Sequence, residues 1–392
     1  MTLGRWVYQG ISPEIADDCD LDTSSWVIGN VKMGKRVILK PRAVLRGDGQ
    51  NIEIGKGVMF LSRSTVHIAN DLLGAVIGDY SVIGRYSLIH ACTIGKSVLV
   101  GDQAVIMDGS VLGDECLVTA NSLIPPGKRF SNNVIIDGAP AKVIGTIEKE
   151  QLKIYKKELI NSNYSKSSIL KAEVSGEDPI AELGIEPWTG LQFGKVVISK
   201  NAFVAPDSVI RGKVLIADKA SVWFSTVLSS IYPGFIEIGE GTNIQDNTIV
   251  DLEGKDLKIG KRVTVGHNVR LGACNIGNDC LIGMGSTIED GAIIEDSAFV
   301  GARALVKGNT VVKSKTIFAG RPAKYFREIR EEEYKFFEEG QKGYEQFSIN
   351  YIRDCEVNNF IRMRYNDNFK ITYSVWGYSN PENSFSFYSE RF

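Results

Sequence analysis

Aliphatic residues recur along this chain with a period of six. From Ile77 the series runs in hexads, takes one five-residue step to Ile94, and continues to Ile124. The second half repeats the series from Ile259 to Val306, with the same shortened step and a constant offset of 182 residues. A period of six fits neither a helix nor the alternation of ordinary strands. It predicts a β-solenoid, whose short strands turn a corner at each hexad and point one aliphatic side chain inward.

Both predicted solenoids end alike, and a helical segment follows each of them. The endings read GAPAKVIGTI at 138–147 and GRPAKYFREI at 320–329. The charged segments EKEQLKIYKKEL and REEEYKFFEEGQKGYEQF come next, and a helix there can cover the end or the side of a solenoid. We therefore predict an all-β solenoid fold with two parallel β-helix domains, each followed by a C-terminal helix.

This organisation divides the chain into four parts. The two domains are predicted at 1–160 and 195–349, with a linker containing NSNYSKSS and GEDP at 161–194. The remaining segment, 350–392, is aromatic and irregular. We expect it either to fold onto the solenoid or to act as a docking segment.

Charge and hydropathy narrow the function classes. The 392 residues carry 45 Lys and Arg against 47 Asp and Glu, a net charge of −2, so we expect no nucleic-acid partner. No apolar run reaches transmembrane length, and we expect no membrane insertion. The first residues resemble neither a secretory signal nor a transit peptide, which predicts a cytoplasmic protein. Six scattered cysteines without CxxC spacing do not indicate a disulfide framework.

The two copies differ at their histidines. The stretch VIGRYSLIHACTIG carries Arg85 and His90, where the matching TVGHNVRLGACNIG carries His267 and Gly272. The chain has three histidines, and the third, His67, also lies in the first copy. Each copy therefore keeps histidines at positions where the other has lost them.

Several phrases of the sequence resemble the γ-class carbonic anhydrases and their short bacterial and mitochondrial relatives. They are YQGISPEIADD, VLRGDG, GTNIQDN, VGHNVRLGAC, CLIGMGSTIEDGAII and the two G-x-P-A-K endings, and the resemblance covers roughly 8–160 and 195–345. It implies left-handed β-helices that assemble as a trimer of solenoids. It also implies a metal between neighbouring solenoids, bound by the first and third histidines of one and the second histidine of the next.

Carried onto this chain, the resemblance defines three ligand positions in each half. They are His67, Arg85 and His90 in the first half, and Asp251, His267 and Gly272 in the second. The surviving histidines, His67, His90 and His267, imply one complete metal site across a junction between an N-type and a C-type solenoid. A reverse junction would have lost its imidazoles, and for it we predict an ion pair between Arg85 and Asp251.

The motif residues around the histidines are divided in the same way. VLRGD keeps Arg46 and Asp48 in the first half only, and GTNIQDN keeps Asn243, Gln245 and Asp246 in the second half only. The resemblance implies that the arginine and aspartates form salt bridges near the interface, and that the glutamine and asparagine lie close to the metal. We therefore assign all five as candidate catalytic residues.

The resemblance implies hydration of CO2 to bicarbonate. Three neutral imidazoles around a divalent ion leave a position for water, and in three-histidine carbonic anhydrases the ion lowers the pKa of that water to about 7. Zn2+ is the default ion, with Fe2+ or Co2+ as alternatives. In the best-known active branch of the family that this chain resembles, an acidic loop lies near the RGD-like motif. Here RGDGQNIEIG continues without such a loop, so Glu53 and Asp71 are the fallback groups for relaying protons from the metal-bound water.

Two other functions stay open at this point. The first is a non-catalytic scaffold subunit of a larger assembly such as the respiratory complex I module, which would place the protein in mitochondria. For the carbonic anhydrase and for the scaffold alike, the expected partner is a second copy of the chain or a separate third solenoid. The second is a hexapeptide-repeat acyltransferase, which can use a histidine between subunits as a base. The three histidines in ligand register favour the carbonic anhydrase over the acyltransferase.

Overall fold

The computed structural model of the chain describes residues 4–69, 72–162, 169–170, 196–231, 233–355 and 358. Residues 4–162 form the N half and residues 196–355 form the C half. Most of the predicted linker at 161–194 and of the predicted tail at 350–392 lies outside the described residues.

Short strands make up most of both halves. The strands of the N half are β1 Arg5–Trp6, β2 Glu14–Ile15, β3 Asp20–Leu21, β4 Trp26–Met33, β5 Ile38–Leu39, β6 Val44–Ile54, β7 Met59–Phe60, β8 Thr65–His67, β9 Ala75–Ile77, β10 Val82–Ile83, β11 Leu88–His90, β12 Thr93–Ile94, β13 Leu99–Val100, β14 Val105–Ile106, β15 Val111–Leu112, β16 Leu117–Val118, β17 Leu123–Ile124, β18 Arg129–Phe130, β19 Val134–Gly138 and β20 Ala141–Thr146. The strands of the C half are β21 Val196–Ile198, β22 Phe203–Val204, β23 Val209–Arg211, β24 Lys213–Ile216, β25 Ser221–Val222, β26 Val227–Ile231, β27 Phe235–Ile238, β28 Asn243–Ile244, β29 Ile249–Glu253, β30 Leu257–Ile259, β31 Thr264–Val265, β32 Arg270–Leu271, β33 Asn275–Ile276, β34 Leu281–Ile282, β35 Thr287–Ile288, β36 Ile293–Ile294, β37 Phe299–Val300, β38 Leu305–Val306, β39 Val311–Val312, β40 Thr316–Ala319 and β41 Lys324–Glu328.

The strands stack into parallel ladders, as a solenoid requires. In the C half, three sheets begin at β21, β22 and β23, and within each the next partner comes from the following coil. In the N half, one sheet runs from β3 to β20, and the long strands β4 and β6 join the other two faces into one sheet. The hairpins β19–β20 and β40–β41 close the two ladders with antiparallel pairs. The predicted pair of β-helices is thus confirmed.

The aliphatic hexads form the cores of the two solenoids, as predicted. The series from Ile77 to Ile124 lies in one buried cluster, and the series from Ile259 to Val306 lies in another. Each such side chain contributes about 1.5–3 kcal/mol when fully buried. Because one residue of each hexad points inward, the residues beside it project outward from the faces and corners, where the site is built.

A helix follows each solenoid, again as predicted. α1, Lys149–Asn161, packs Leu152 and Leu159 against the outward residues of one N-half face. α2, Glu331–Asp354, is longer and extends into the range assigned to the tail. It continues because Tyr344, Phe347 and Tyr351 repeat at helical spacing and pack on aromatic residues of both halves. Neither helix is long and apolar enough to cross a membrane, within the residues that the structure describes.

The two halves meet where corners of the C half pack against one face of the N half and the corners beside it. The Asn268 amide donates to the Tyr86 carbonyl oxygen at 2.8 Å, and Arg63 donates to the Ser225 carbonyl oxygen at 3.0 Å. Gly285 approaches the N half so closely that a Cβ there would lie 3.0 Å from Cγ2 of Val105. This junction brings one face of the N half against a corner of the C half, and the histidines lie on those two surfaces.

Candidate metal centre

His67 and His90 lie side by side because the solenoid stacks them. His67 ends β8, His90 ends β11, and the two residues are register partners in the parallel ladder. Neighbouring strands are about 4.8 Å apart, so outward side chains on successive coils contact each other. The centres of the two imidazole rings are 5.3 Å apart.

His267 reaches the same place from the C half. It follows β31 at a corner, and its ring centre lies 4.8 Å from that of His67 and 5.8 Å from that of His90. Its Nε2 is 3.2 Å from Nδ1 of His67. One ring nitrogen from each histidine lies within 4.8 Å of the others, and all three residues are buried. The structure therefore brings together the three histidines that the sequence selected.

Each imidazole has a carboxylate beside its other ring nitrogen. His67 Nε2 lies 3.1 Å from Oδ1 of Asp48, and His267 Nδ1 lies 3.0 Å from Oδ2 of Asp246. His90 Nδ1 contacts Oδ1 of Asp108. These contacts use one nitrogen of each ring, so His67 Nδ1, His90 Nε2 and His267 Nε2 are the nitrogens left to bind a metal. Carboxylates placed in this way fix the ring orientation and tautomer of metal-binding histidines.

Arg46 links the carboxylates of the two halves. Its guanidinium contacts Asp48 at 2.6 Å and Asp246 at 3.0 Å, and it stacks 4.4 Å from the ring centre of Trp223. The predicted salt bridges between the motif residues are therefore present. Burial lowers the pKa of Arg46, but Asp246 and Asp48 outweigh this effect, so the guanidinium stays charged.

The buried surroundings keep two of the imidazoles neutral. Burial, assisted by Arg46, places the pKa of His67 well below its usual value. Burial lowers the pKa of His267 to about 4, although Asp246 acts in the opposite direction. Burial raises the pKa of Asp246, but the charge of Arg46 more than offsets this, and the carboxyl is ionised at neutral pH. Neutral imidazole is the form that binds a metal.

The predicted asparagine and glutamine, Asn243 and Gln245, lie at β28, the ladder neighbour of the strand β31 that His267 follows. Asn243 and Gln245 are buried, and the Gln245 amide donates to Oδ1 of Asn243 at 3.0 Å. Neither makes a direct hydrogen bond to a histidine in the described chain. The Gln245 Oε1 atom is buried and has no hydrogen-bond partner among the described residues. A buried acceptor without a partner is costly unless a water or ligand donates to it.

Sequence reasoning missed three residues of the site. Tyr344 of α2 accepts from Arg46 at 3.0 Å and lies 3.4 Å from His267 Nε2, and Tyr351 donates to Asp48 at 2.9 Å. Asp108 was also missed, although it stands one coil after His90 and spacing could have identified it. No local pattern marks the two tyrosines, because they contact the site only through the docking of α2.

The predicted ion pair between Arg85 and Asp251 is not formed in the described chain. Arg85 contacts Asp102 at 3.5 Å and donates to the Leu159 carbonyl oxygen at 3.0 Å, near the C-terminal end of α1. Asp251 is exposed. The described residues form one junction between solenoids, and Arg85 contacts Asp102 and the Leu159 carbonyl oxygen within its own half, where a cation also suits the helix terminus.

Of the two fallback relay groups, Glu53 can be placed, and it does not join the cluster. Glu53 is exposed and accepts from Asn51 at 2.9 Å, while Asp71 lies outside the described residues. Asp108 is the cluster residue closest to solvent, with one third of its side chain exposed. Burial raises the pKa of Asp108, but the contact with His90 outweighs burial and the net pKa is lowered, so the carboxyl is ionised at neutral pH.

The residues fit a divalent cation. Three imidazole nitrogens face one another, and the 3.2 Å between His67 and His267 suits two ligands of an ion with metal–nitrogen distances of about 2.0–2.1 Å. Arg46 contacts Asp48 and Asp246, and a third aspartate, Asp108, contacts His90, so these four side chains around the cluster carry a formal charge of −2. Buried charges are stable only when they are paired, and a divalent cation supplies the balance.

The fold and the cluster define a hexapeptide β-helix protein with three histidines shared between two solenoids. Residues 273–308 match the family described as "Bacterial transferase hexapeptide (six repeats)". The chain is 42% identical over 153 residues to "Probable carbonic anhydrase" of Methanocaldococcus jannaschii, covering 39% of this chain and 96% of the relative. It is 38% identical over 148 residues to "Carbonic anhydrase" of Geobacillus kaustophilus, covering 38% of this chain and 81% of the relative.

A plant relative matches more strongly but over a smaller share of its length. The chain is 48% identical over 147 residues to "Gamma carbonic anhydrase 3, mitochondrial" of Arabidopsis thaliana, which is 36% of this chain and 57% of that protein. The chain thus spans little more than half of this relative. Together with the fold, these matches show that the chain belongs to the γ-carbonic-anhydrase-like family of left-handed β-helix proteins.

Proposed function

We propose that the chain is a metal-dependent carbonic anhydrase with one site between its two solenoids. The observation that carries the proposal is the cluster itself, in which three imidazoles from two copies of a duplicated domain face one another. His67, His90 and His267 would hold the ion. Zn2+ is the proposed metal, with Fe2+ or Co2+ as alternatives. When bound, the ion supplies a Lewis acid and a water that ionises near neutral pH.

The chain's own residues prepare this chemistry in two ways. Asp48, Asp108 and Asp246 hold the imidazoles in one orientation, so that little reorganisation accompanies metal binding. The buried Gln245 Oε1 offers an acceptor to a water or to the hydroxyl of bicarbonate. Because the histidines are buried on all sides, electrostatic interactions within the site are stronger than in water.

Stopped-flow measurement of CO2 hydration tests the proposal. We expect zinc-loaded protein to accelerate hydration, and His267→Ala protein to lose the acceleration because one ligand is missing. Asp251→Asn is the matched control, since Asp251 stands at a ligand position of the C half but is exposed; its activity should equal that of the wild type. Metal uptake without hydration would contradict the enzyme and leave the scaffold as the function.

We propose further that a second copy or a γ-carbonic-anhydrase-like solenoid covers one face of the C half. This face, formed by β23, β26, β29, β32, β35 and β38, is the counterpart of the N-half face that carries His67 and His90. The C half covers that N-half face, whereas Asp251 on the counterpart is exposed. Native mass spectrometry tests this, and a species of single-chain mass alone would contradict it.

The cellular location also belongs to the proposal. We propose that the protein is located in the cytoplasm. Mitochondria are the alternative, because the Arabidopsis relative is named mitochondrial. Fractionation of cells that produce the full-length protein decides between the two.

A further inference from the structure

Tyr351 belongs to the C half but is buried against both halves. It lies near the C-terminal end of α2 and is fully excluded from solvent. Its ring packs within an aromatic cluster formed by Trp6, Tyr8, Phe203, Trp223 and Phe224. The position of its hydroxyl is therefore fixed by packing on all sides.

The hydroxyl of Tyr351 acts on a carboxylate of the other half. It donates to Oδ2 of Asp48 at 2.9 Å, and the same oxygen accepts from Arg46 at 2.6 Å. The second oxygen, Oδ1, lies 3.1 Å from Nε2 of His67. Two donors hold Oδ2 and so fix the plane of the carboxylate, which leaves Oδ1 aimed at the imidazole.

We propose that Tyr351 is a positioning residue for the metal centre, acting on His67 through Asp48. Its hydroxyl couples the docking of the C-half helix α2 to the orientation of an N-half ligand. The inference rests on the proposed function, because it assumes that His67 binds a metal. Without the hydroxyl, Asp48 keeps Arg46 but loses the second donor, and the carboxylate is free to turn away from His67.

Co2+ titration of the full chain tests this, with Tyr351→Phe as the variant and Tyr8→Phe as the matched control. Tyr8 lies in the same aromatic cluster, but its hydroxyl accepts from Asn350 and does not reach Asp48. Affinity is measured by competition with a chelator, and geometry by the visible absorption of bound Co2+. Loss of an outer contact typically weakens metal binding 10–100-fold. We expect Tyr351→Phe to bind Co2+ about tenfold more weakly with an altered spectrum, and Tyr8→Phe to match the wild type.

A double-mutant cycle separates positioning from general destabilisation. If Tyr351 acts through Asp48, then Tyr351→Phe should add no further loss of affinity in an Asp48→Asn background. Additive losses, or equal affinities for Tyr351→Phe and Tyr8→Phe, would overturn the inference while leaving the metal site intact. No Co2+ uptake by the wild type would instead refute the proposed function and this inference with it. Melting temperatures of the metal-free proteins identify any variant that has failed to fold.

Discussion

At the scale of single residues, the candidate site is a set of histidines paired with aspartates. Asp48 and Asp246 come from motifs that the sequence identified, whereas Asp108 lies in none of these motifs and was found through its contact with His90. The spacing of one coil explains the contact, because a residue one coil later in a solenoid lies on the neighbouring rung. Asp290 stands at the matching position of the C half, where it accepts from Ala273 and contacts no histidine.

Asp108→Asn should weaken metal binding by roughly 10–100-fold, because the amide no longer holds His90 as the carboxylate does. Calorimetric titration with Zn2+ measures the change. Asp290→Asn is the control and should bind Zn2+ as the wild type does. Equal loss in both variants would show that the effect is not specific to His90.

The stability of metal-free protein should fall on acidification from about pH 6.5 to about pH 4. The folded state keeps His267 neutral down to its pKa of about 4, whereas the unfolded chain protonates it near 6.5. The unfolded state therefore binds more protons in this window, and the free energy of unfolding decreases as the pH falls. The full effect for this residue is about 3 kcal/mol.

Urea unfolding of the metal-free protein at pH 7, 5.5 and 4.5 measures this dependence. The same series on His267→Ala should show a smaller slope, since the titrating group is gone. A free energy of unfolding that is constant across the window would contradict the buried, neutral imidazole.

At the scale of elements, the six-residue period predicted the strands of the solenoids but not the contacts that α2 makes. Aliphatic hexads identified the strands and the cores, because a solenoid repeats one local rule. The role of α2 was not predictable in the same way. Its helical pattern marks an apolar stripe, but nothing in that stripe indicates that Tyr344 and Tyr351 reach Arg46 and Asp48 of the other half.

The junction should be sensitive to a methyl group at Gly285. This residue has a positive φ of 67°, and a Cβ would lie 3.0 Å from Val105 of the N half and 2.9 Å from Arg303. Gly127 has a φ of 70° with nothing within 4 Å of a Cβ. Gly127→Ala should cost about 1–2 kcal/mol from the backbone alone, and Gly285→Ala about 1–3 kcal/mol more from crowding. Chemical denaturation measures both, and equal costs would mean that the halves are not in close contact there.

At the scale of the whole molecule, the two copies of the repeat carry different parts of the candidate site. The N half retains Arg46, Asp48 and two histidines, while the C half retains Asp246 and one histidine. Arg85, at a position where the resemblance implies a ligand, donates to the end of α1 and so contributes to the fold of its own half. The sequence alone could reveal the complementary losses but not which surfaces pair, because pairing depends on corners such as Asn268 against Tyr86.

Zinc should stabilise the protein across its two halves, because the ligands come from both. At a free concentration 100 times the dissociation constant, the ion adds about 2.7 kcal/mol to the free energy of unfolding. Thermal melts with zinc and with a chelator measure this, and His90→Ala is the comparison that should show no gain. Equal gains in His90→Ala and the wild type would place the bound zinc elsewhere.

Metal content per chain is the measurement that tests the central claim most directly. Protein purified without air or chelators is analysed by mass spectrometry, alongside His267→Ala and the control Asp251→Asn. We predict about one metal ion per chain in the wild type and the control, and none in His267→Ala, because a single site needs ligands from both solenoids. Metal-free wild type, or His267→Ala that keeps its metal, would contradict a site shared between the two halves.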